Sequence, residues 1–262
     1  MTTVAVLADP PRPGLVHERL VETTPLTAAE ARDLYAAGFR DVCRAVATSG
    51  GDLLVNYRAE EDLPGMDGVG DEDREDEGSG DSEAELRAAL EPVSELDAAD
   101  VRFEVQVGET FAGRAGNTAT HLLGNEGVTS VAVVEPSAVF LTRQRIDEAA
   151  MKLRQREVVL GPAPGGRVFY AGFREPIDFG DAYAPPALET LTLRGVDAGL
   201  DVDYLAPAPV LETGADLADV VTQVRARRAA GRNVPPHTAE ALASLDLHVD
   251  PEGDSLRVVR GR

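Results

Sequence analysis

The chain has 262 residues, 43% of them hydrophobic and 5% aromatic, and its 46 acidic against 25 basic side chains give a formal net charge of -21. This charge leaves no basic stripe for nucleic acid or an anionic membrane, so neither is expected as a partner. Lys152 is the single lysine. An acidic chain almost without lysine is typical of proteins that are soluble at very high salt, although a GC-rich genome alone also favours arginine over lysine.

Cysteine and hydropathy patterns narrow the class of protein further. Cys43 is the single cysteine, which excludes an intrachain disulfide and a cysteine-based zinc site. The chain shows no signal-peptide pattern and no apolar run long enough for a membrane span, so a cytoplasmic location is expected. The length is sufficient for one large α/β domain with a substantial core.

The first quarter of the chain alternates apolar runs with helical patterns, which predicts a βαβ organisation. Residues 4–8 form a buried strand, and a proline-rich loop, "DPPRPG", follows it. The capping box "TAAE" at residues 27–30 begins a helix that extends to about Thr48. The next predicted strand is "DLLVNY", Asp52–Tyr57.

An acidic segment interrupts this pattern. Residues 60–85 contain thirteen acids and one base, Arg74, interleaved with glycine and serine. Such a composition cannot bury enough apolar surface to offset its ordering entropy, so we expect a disordered surface insertion at about residues 58–85.

The rest of the chain continues the alternation of strands and helices. The main domain is predicted to span residues 1–230, and residues 231–262 form a C-terminal extension with one short helix and one strand. The remaining predicted elements are a helix at 83–90, a strand at 101–107, a helix at 114–123, a strand at 129–137, a helix from Thr142, a strand–glycine turn–strand at 157–173, helices at 186–198 and 215–228, and a strand at 202–205.

Four stretches resemble, in order, the motifs of one known family. They are "PGLVHERL" at 13–20, "VAVVEPSAVFLT" at 131–142, "VVLGPAPGGRVFYAGF" at 158–173 and "PVLETGADL" at 209–217. The chain thereby resembles the selenodomain-associated transferases, a group of the nucleotide-diphospho-sugar transferase superfamily, over roughly residues 3–228 without the insertion. The resemblance implies a GT-A-like, Rossmann-related three-layer α/β/α sandwich with a mixed central sheet.

The same resemblance implies a chemistry and a set of site residues. A glycosyl or nucleotidyl group would be transferred from a nucleotide or nucleotide-sugar donor, with cations holding the phosphates and carboxylates holding Mg or Mn. The metal candidates are Glu212, then Glu135 as a substitute ligand, and Ser137 at the position of the family's metal-binding aspartate. The residues expected to contact phosphate or nucleotide are Arg12, Gly14, His17, Arg19 and Arg114.

Several residues depart from the family pattern. Asp9, His17, Ser137 and Gly165 stand where the family has residues that bind phosphate or metal more strongly. Two hypotheses therefore stay open: a transferase, and a catalytically inactive member that acts as a binding or regulatory partner. Two motifs also have interpretations without a ligand. The first loop is equally consistent with a rigid proline-rich connection and with a weakened anion site. Residues 165–167 are consistent with a glycine hairpin turn.

Overall fold

The computed structural model describes residues 1–64 and 81–261. The centre of the predicted insertion, residues 65–80, lies outside the described residues. Among the helices described, none is both long enough and apolar enough to cross a membrane.

The strands and helices of the described chain follow the predicted order. The strands are β1 (Thr2–Ala8), β2 (Asp52–Tyr57), β3 (Arg102–Val105), β4 (Ser130–Val134), β5 (Val158–Ala163), β6 (Arg167–Phe173), β7 (Val202–Tyr204), β8 (Leu247–Glu252) and β9 (Ser255–Arg260). The α-helices are α1 (Glu18–Thr23), α2 (Ala28–Ala47), α3 (Ser82–Leu90), α4 (Phe111–Thr120), α5 (Arg143–Lys152), α6 (Ala187–Asp197), α7 (Gly214–Ala229) and α8 (Pro236–Ser244).

Seven strands form the central sheet, in the order β3-β2-β1-β4-β6-β5-β7. All neighbouring pairs are parallel except those of β6, which runs antiparallel to β4 and β5. Strand β1 is buried along its whole length, as expected for a central strand with both faces covered. The mixed sheet predicted from the sequence is confirmed.

Helices cover both faces of this sheet and produce three layers. Alternate residues of β1 point to opposite faces. Val4 and Val6 pack into a large core with α2, α5 and α7, whereas Ala5 and Leu7 pack into a smaller core with α4 and α6. This arrangement is the GT-A-like α/β/α sandwich that the sequence predicts.

The flanks of the acidic insertion differ from the expectation of disorder. Glu60–Asp62 forms a turn of 3-10 helix, and α3 begins at Ser82 after an Asp81 cap. The reason is charge compensation, because Arg12 pairs with Glu60 at 2.7 Å on one flank and with Glu85 at 2.8 Å on the other. The expected disorder therefore does not extend to Glu60–Asp62, and the helix predicted at residues 83–90 is present as α3.

The C-terminal segment contains more regular secondary structure than the sequence pattern indicates. In place of one helix and one strand it forms α8 and an antiparallel β8–β9 hairpin. Leu242, Leu247 and Val258 enter the large core. Buried Asp41 on α2 accepts hydrogen bonds from the backbone N–H groups of His237 (3.0 Å) and Thr238 (2.7 Å), and so caps α8 from another helix.

The variant Asp41→Ala tests this long-range cap. Removing the carboxylate leaves two N–H groups of α8 without their acceptor, so we expect a loss of about 1–2 kcal/mol in the free energy of unfolding. We also expect faster hydrogen exchange confined to α8 and the β8–β9 hairpin. Asp33→Ala, at an exposed position on the same helix, is the control. Equal stability of the two variants would contradict the capping role.

Candidate functional site

A cavity of about 180 Å³ opens at the carboxyl ends of the central strands. The chain order reverses between β1 and β4, which makes this edge a topological switch point, where α/β sheets commonly bind ligands. Asp9 follows β1, Gln106 follows β3 and Glu135 follows β4. The residues that line this pocket are Leu7, Asp9, Leu15, Val16, His17, Tyr35, Gln106, Phe111, Arg114, Glu135, Pro136, Ser137 and Glu212.

Two close backbone contacts set the shape of the pocket wall after β4. Gly38 allows α2 to lie against this wall, because a Cβ at that position would lie 2.5 Å from the carbonyl oxygen of Pro136. The N–H of Leu211 donates to the carbonyl oxygen of Ser137 at 2.8 Å. This bond brings the next residue, Glu212, beside Ser137, whose hydroxyl donates to Glu212 Oε1 at 3.4 Å.

The structure brings two of the five predicted phosphate-contacting residues into the pocket. His17 and Arg114 line it, whereas Arg12, Gly14 and Arg19 do not. The guanidinium of Arg12 pairs instead with Glu60 and Glu85. Gly14 takes a left-handed φ of 80° in the turn and is exposed, as is Arg19. The three predicted metal candidates, Glu135, Ser137 and Glu212, all line the pocket.

His17 is a neutral member of the pocket. Its backbone has a left-handed φ of 54°, which is uncommon for a residue other than glycine. Its ring packs edge-on against Tyr35, with 5.3 Å between centroids, and its Nε2 is buried without a hydrogen-bond partner. Burial lowers the pKa of His17 to about 4. The side chain therefore offers a ligand a hydrogen bond rather than a charge at pH 7.

Arg114 offers the pocket a cation. Its Nη1 donates to the carbonyl oxygen of Glu109 at 3.0 Å, whereas its Nε is buried without a partner. Burial, and secondarily the nearby charge of Arg58, lower the pKa of Arg114. A guanidinium in this situation is stabilised by an approaching anion.

Asp9 stands where the family has a residue that binds phosphate more strongly, but its negative charge is compensated in the structure. Its carboxylate forms a two-point ion pair with Arg58, whose Nε donates to Oδ1 at 2.6 Å. Its N–H donates to the hydroxyl of Tyr35 at 2.8 Å. Sequence reasoning missed Arg58, because an arginine directly after a strand gives no signal of its partner 49 residues away.

Glu135 is the pocket acid without a nearby arginine partner among the described hydrogen bonds and ion pairs. Burial is the main cause that raises the pKa of Glu135 to about 8, and the charges of Glu212 and Asp9 raise it further, with Arg114 opposing them. This shift favours the protonated form of the Glu135 side chain at neutral pH. In this form the side chain can donate a hydrogen bond.

Glu212 belongs to an ionic network with Arg167 and Asp216. Arg167 Nη1 donates to Glu212 Oε2 at 3.1 Å, and its two terminal nitrogens donate to the Asp216 carboxylate at 2.8 and 2.6 Å. Asp216 also caps α7 through the N–H of Thr213 at 2.9 Å. The glycine turn at 165–166 is present as predicted, with positive φ at both glycines, and the arginine directly after it has a partner that the turn alone does not reveal.

Oxygen donors alone would suit a hard cation such as Mg²⁺. The three metal candidates in the pocket, Glu135, Ser137 and Glu212, do not fit a divalent metal site, however. Arg167 engages one oxygen of Glu212, the Ser137 hydroxyl donates to the other, and Glu135 retains a proton at neutral pH. A divalent ion would have to displace that proton and compete with the guanidinium.

The described residues hold one cluster of three histidine or acidic side chains whose ligand atoms lie within 4.8 Å of one another, namely Glu104, His121 and Glu126. Arg102 donates to both carboxylates of this cluster, at 2.9 Å for Glu126. His121 follows Arg114 by seven residues along α4 and its continuation, about 10 Å along the helix axis and away from the pocket.

The sheet order, the single antiparallel strand and the pocket at the switch point define a GT-A-like nucleotide-diphospho-sugar transferase fold. Comparison with solved structures agrees. A protein from Desulfovibrio desulfuricans G20, provisionally described as a nucleotide-diphospho-sugar transferase, matches with a TM-score of 0.70 and 19% identity, over 93% of this chain and 94% of that one. At this identity the likeness shows the fold.

Other similar structures belong to cytidylyltransferases. One, from Leptospira borgpetersenii serovar Hardjo-bovis, has a TM-score of 0.49 and 7% identity, over 93% of this chain and 94% of that one. A 4-diphosphocytidyl-2C-methyl-D-erythritol synthase from Anaerococcus prevotii DSM 20548 has a TM-score of 0.48 and 11% identity, over 88% and 99%. No protein-family model matches the sequence, and no curated protein matches it.

The variant Glu135→Gln tests the environment of the pocket acid. The pKa of Glu135 in the folded protein lies above its ordinary value of 4.5, so the fold binds the proton more tightly than the unfolded chain does. Wild-type stability should therefore fall as the pH rises from about 4.5 to about 8. The variant cannot ionise, so we expect it to be more stable by about 1–3 kcal/mol above pH 8, with little difference below pH 4.5.

The measurement for Glu135→Gln is the free energy of unfolding over this pH range in molar KCl. Glu148→Gln, at an exposed position on α5, is the matched control. A difference between Glu135→Gln and the wild type that stays constant with pH would show that Glu135 is not held in a protonated state.

Proposed function

We propose that the protein binds a nucleotide or nucleotide-sugar through its phosphate groups in the pocket at the ends of β1 and β4, as a transferase of glycosyl or nucleotidyl groups. Arg114 is the observation on which this proposal rests. Its guanidinium is partly buried, which lowers its pKa, and its Nε has no partner, so an anion in the pocket relieves two unfavourable conditions at once.

The surrounding charges support an anionic ligand. Asp9 is neutralised by Arg58 and Glu212 by Arg167, and Glu135 is mostly protonated at pH 7. The acids of the pocket therefore oppose a phosphate much less than their number suggests. Protonated Glu135 and the Nε2 of His17 add neutral hydrogen-bonding groups beside Arg114.

The pocket accepts only part of such a ligand. Its volume of about 180 Å³ is below the roughly 300–1,000 Å³ of typical small-molecule sites. We infer that the phosphates enter it and that the base or sugar lies at its mouth. In a transfer reaction negative charge develops on the leaving phosphate, and Arg114 would stabilise that charge in a partly dehydrated position.

The Mg or Mn ion that the family resemblance implies would have to be held by Glu135, Ser137 and Glu212. Such an ion would neutralise the leaving diphosphate. Because these three residues do not fit a divalent centre as they stand, the proposed binding does not depend on a metal. Metal is therefore a variable in the test.

A second candidate function is a catalytically inactive binding or regulatory partner with the same fold. The loop after β1 favours it, because Pro10, Pro11 and Pro13 have no N–H, and the N–H groups of Arg12 and Leu15 donate within the loop. This loop therefore offers few backbone donors to a phosphate. Both candidates bind a nucleotide, and turnover distinguishes them.

We extend the proposal to the family, the salt adaptation, the location, the partners and the domain boundaries of the protein. We propose membership of the selenodomain-associated transferase family, supported by the order of the four motifs, and adaptation to high salt, supported by the charge of -21 with a single lysine. We also propose a cytoplasmic location, no nucleic-acid or membrane partner, and a main domain of residues 1–230 with an extension at 231–262.

The proposed ligand is tested by thermal unfolding in molar KCl against nucleoside triphosphates and nucleotide-sugars, each with and without Mg or Mn. A ligand at about a hundred times its dissociation constant stabilises the fold by roughly 2.7 kcal/mol. We expect Arg114→Gln to lose this stabilisation, because it removes the unpartnered cation. Arg143→Gln, which alters an exposed arginine on α5, should keep it.

Product analysis with the ligand so identified then separates the two candidate functions. Release of pyrophosphate or of a nucleoside diphosphate supports the transferase, and binding without turnover supports the inactive partner. If a cooperatively unfolding protein responds to no ligand, or if Arg114→Gln responds like the wild type, the proposed site is wrong.

A further inference from the structure

Arg167 occupies an unusual position for a residue in a hairpin. It is the first residue of β6, directly after the Gly165–Gly166 turn, and its side chain reaches the start of α7. There it contacts Glu212, which lines the pocket, and Asp216, which is only 5% exposed. Arg167 does not itself line the pocket, and it engages Oε2 of Glu212, whereas the Ser137 hydroxyl engages Oε1.

The guanidinium is held on three sides. Its Nε donates to the carbonyl oxygen of Pro164 at 2.8 Å, and its terminal nitrogens donate to Glu212 and Asp216. Asp216 is itself fixed by hydrogen bonds from the N–H groups of Glu212 and Thr213. Such a two-point pair between a planar guanidinium and a carboxylate is among the strongest charge-assisted contacts in proteins.

The three acids Asp9, Glu212 and Asp216 are matched in number by three nearby arginines. Asp9, Glu212 and Asp216 carry three negative charges, and Arg58, Arg167 and Arg114 carry three positive charges. Arg58 and Arg167 are engaged by the acids, whereas Arg114 lines the pocket and its Nε has no hydrogen-bond partner.

We propose that Arg167 is a built-in cation that takes the role of a divalent ion beside Glu212, so that the pocket binds its anionic ligand without a metal. The part of this inference that concerns the ligand rests on the proposed function. The part that concerns the metal does not, because exclusion of a divalent ion by Arg167 is a property of the empty pocket.

Binding of Mn²⁺ alone, measured by electron paramagnetic resonance in molar KCl, tests the inference. The wild type should show only the weak binding expected of an acidic surface. Arg167→Gln removes one positive charge and frees carboxylate oxygens of Glu212 and Asp216, so we expect a new site that binds Mn²⁺ at least about tenfold more tightly. The double variant Arg167→Gln/Glu212→Gln should lose that site.

Arg156→Gln is the matched control, because it removes the same charge from an exposed ion pair with Asp201. Arg167→Lys retains the charge and should exclude Mn²⁺ like the wild type. A cooperative unfolding transition confirms that each variant is folded. If Arg167 only stabilises the fold, Arg167→Gln will melt at a lower temperature without gaining a Mn²⁺ site, and the inference fails.

The ligand found in the thermal panel provides a second readout. Its affinity for the wild type should agree within about twofold in the presence of a chelator and of Mg²⁺, and Arg167→Gln should bind it more tightly with Mg²⁺ than with the chelator. A wild-type affinity that rises tenfold with Mg²⁺, or tight Mn²⁺ binding by the wild type that Glu212→Gln abolishes, would overturn the inference. If no nucleotide binds at all, the proposed function fails while the Mn²⁺ result still decides the role of Arg167.

Discussion

The proposed function places one constraint on the pocket, which is that carboxylates gathered at the ends of parallel strands must be neutralised before a negatively charged ligand can approach. The protein meets it with arginines from distant parts of the chain. Arg58, directly after β2, pairs with Asp9, and Arg167, at the start of β6, pairs with Glu212 and Asp216. Each pair also joins separate elements, so the contacts that neutralise the pocket also fix its walls. Partly buried pairs of this kind are screened by salt much less than exposed ones, which suits a chain with so acidic a surface.

Local sequence signals were sufficient for most of the fold. The capping boxes at Thr27 and Thr213, the apolar runs of the strands and the glycine turn at 165–166 act within a few residues, and the structure has all of them. The C-terminal hairpin was missed in part because "LHVDPE" has only two aliphatic residues and contains a proline, which is unfavourable in a strand, and its β8 strand is stabilised by pairing with β9. The helix after the acidic insertion was predicted, whereas the turn at Glu60–Asp62 was missed because it contacts Arg12, more than forty residues earlier in the chain.

The sequence predicted several of the residues that line the pocket, but it did not predict which ion pairs the charged residues around it form. The family resemblance assigned Glu135, Ser137, Glu212, His17 and Arg114 to one site, and the structure brings all five to one pocket, whereas Arg12, Gly14 and Arg19 lie outside it. It gave no means to learn that Arg12 turns to Glu60 and Glu85, or that Asp9 has Arg58 beside it. The sequence alone does not show which groups a charged side chain will pair with in the folded protein. The chemical character of this pocket, which is balanced rather than acidic, therefore emerges only in three dimensions.

The contact between Gly38 and Pro136 links the interior to the pocket. Gly38 lies in the middle of α2, and Pro136 lines the pocket together with Glu135 and Glu212. Because a single added methyl group at position 38 would meet the Pro136 carbonyl oxygen, the packing of a core helix sets the width of the ligand site. A substitution in the core that shifts α2 slightly would therefore also displace the Pro136 backbone, which forms part of the pocket wall.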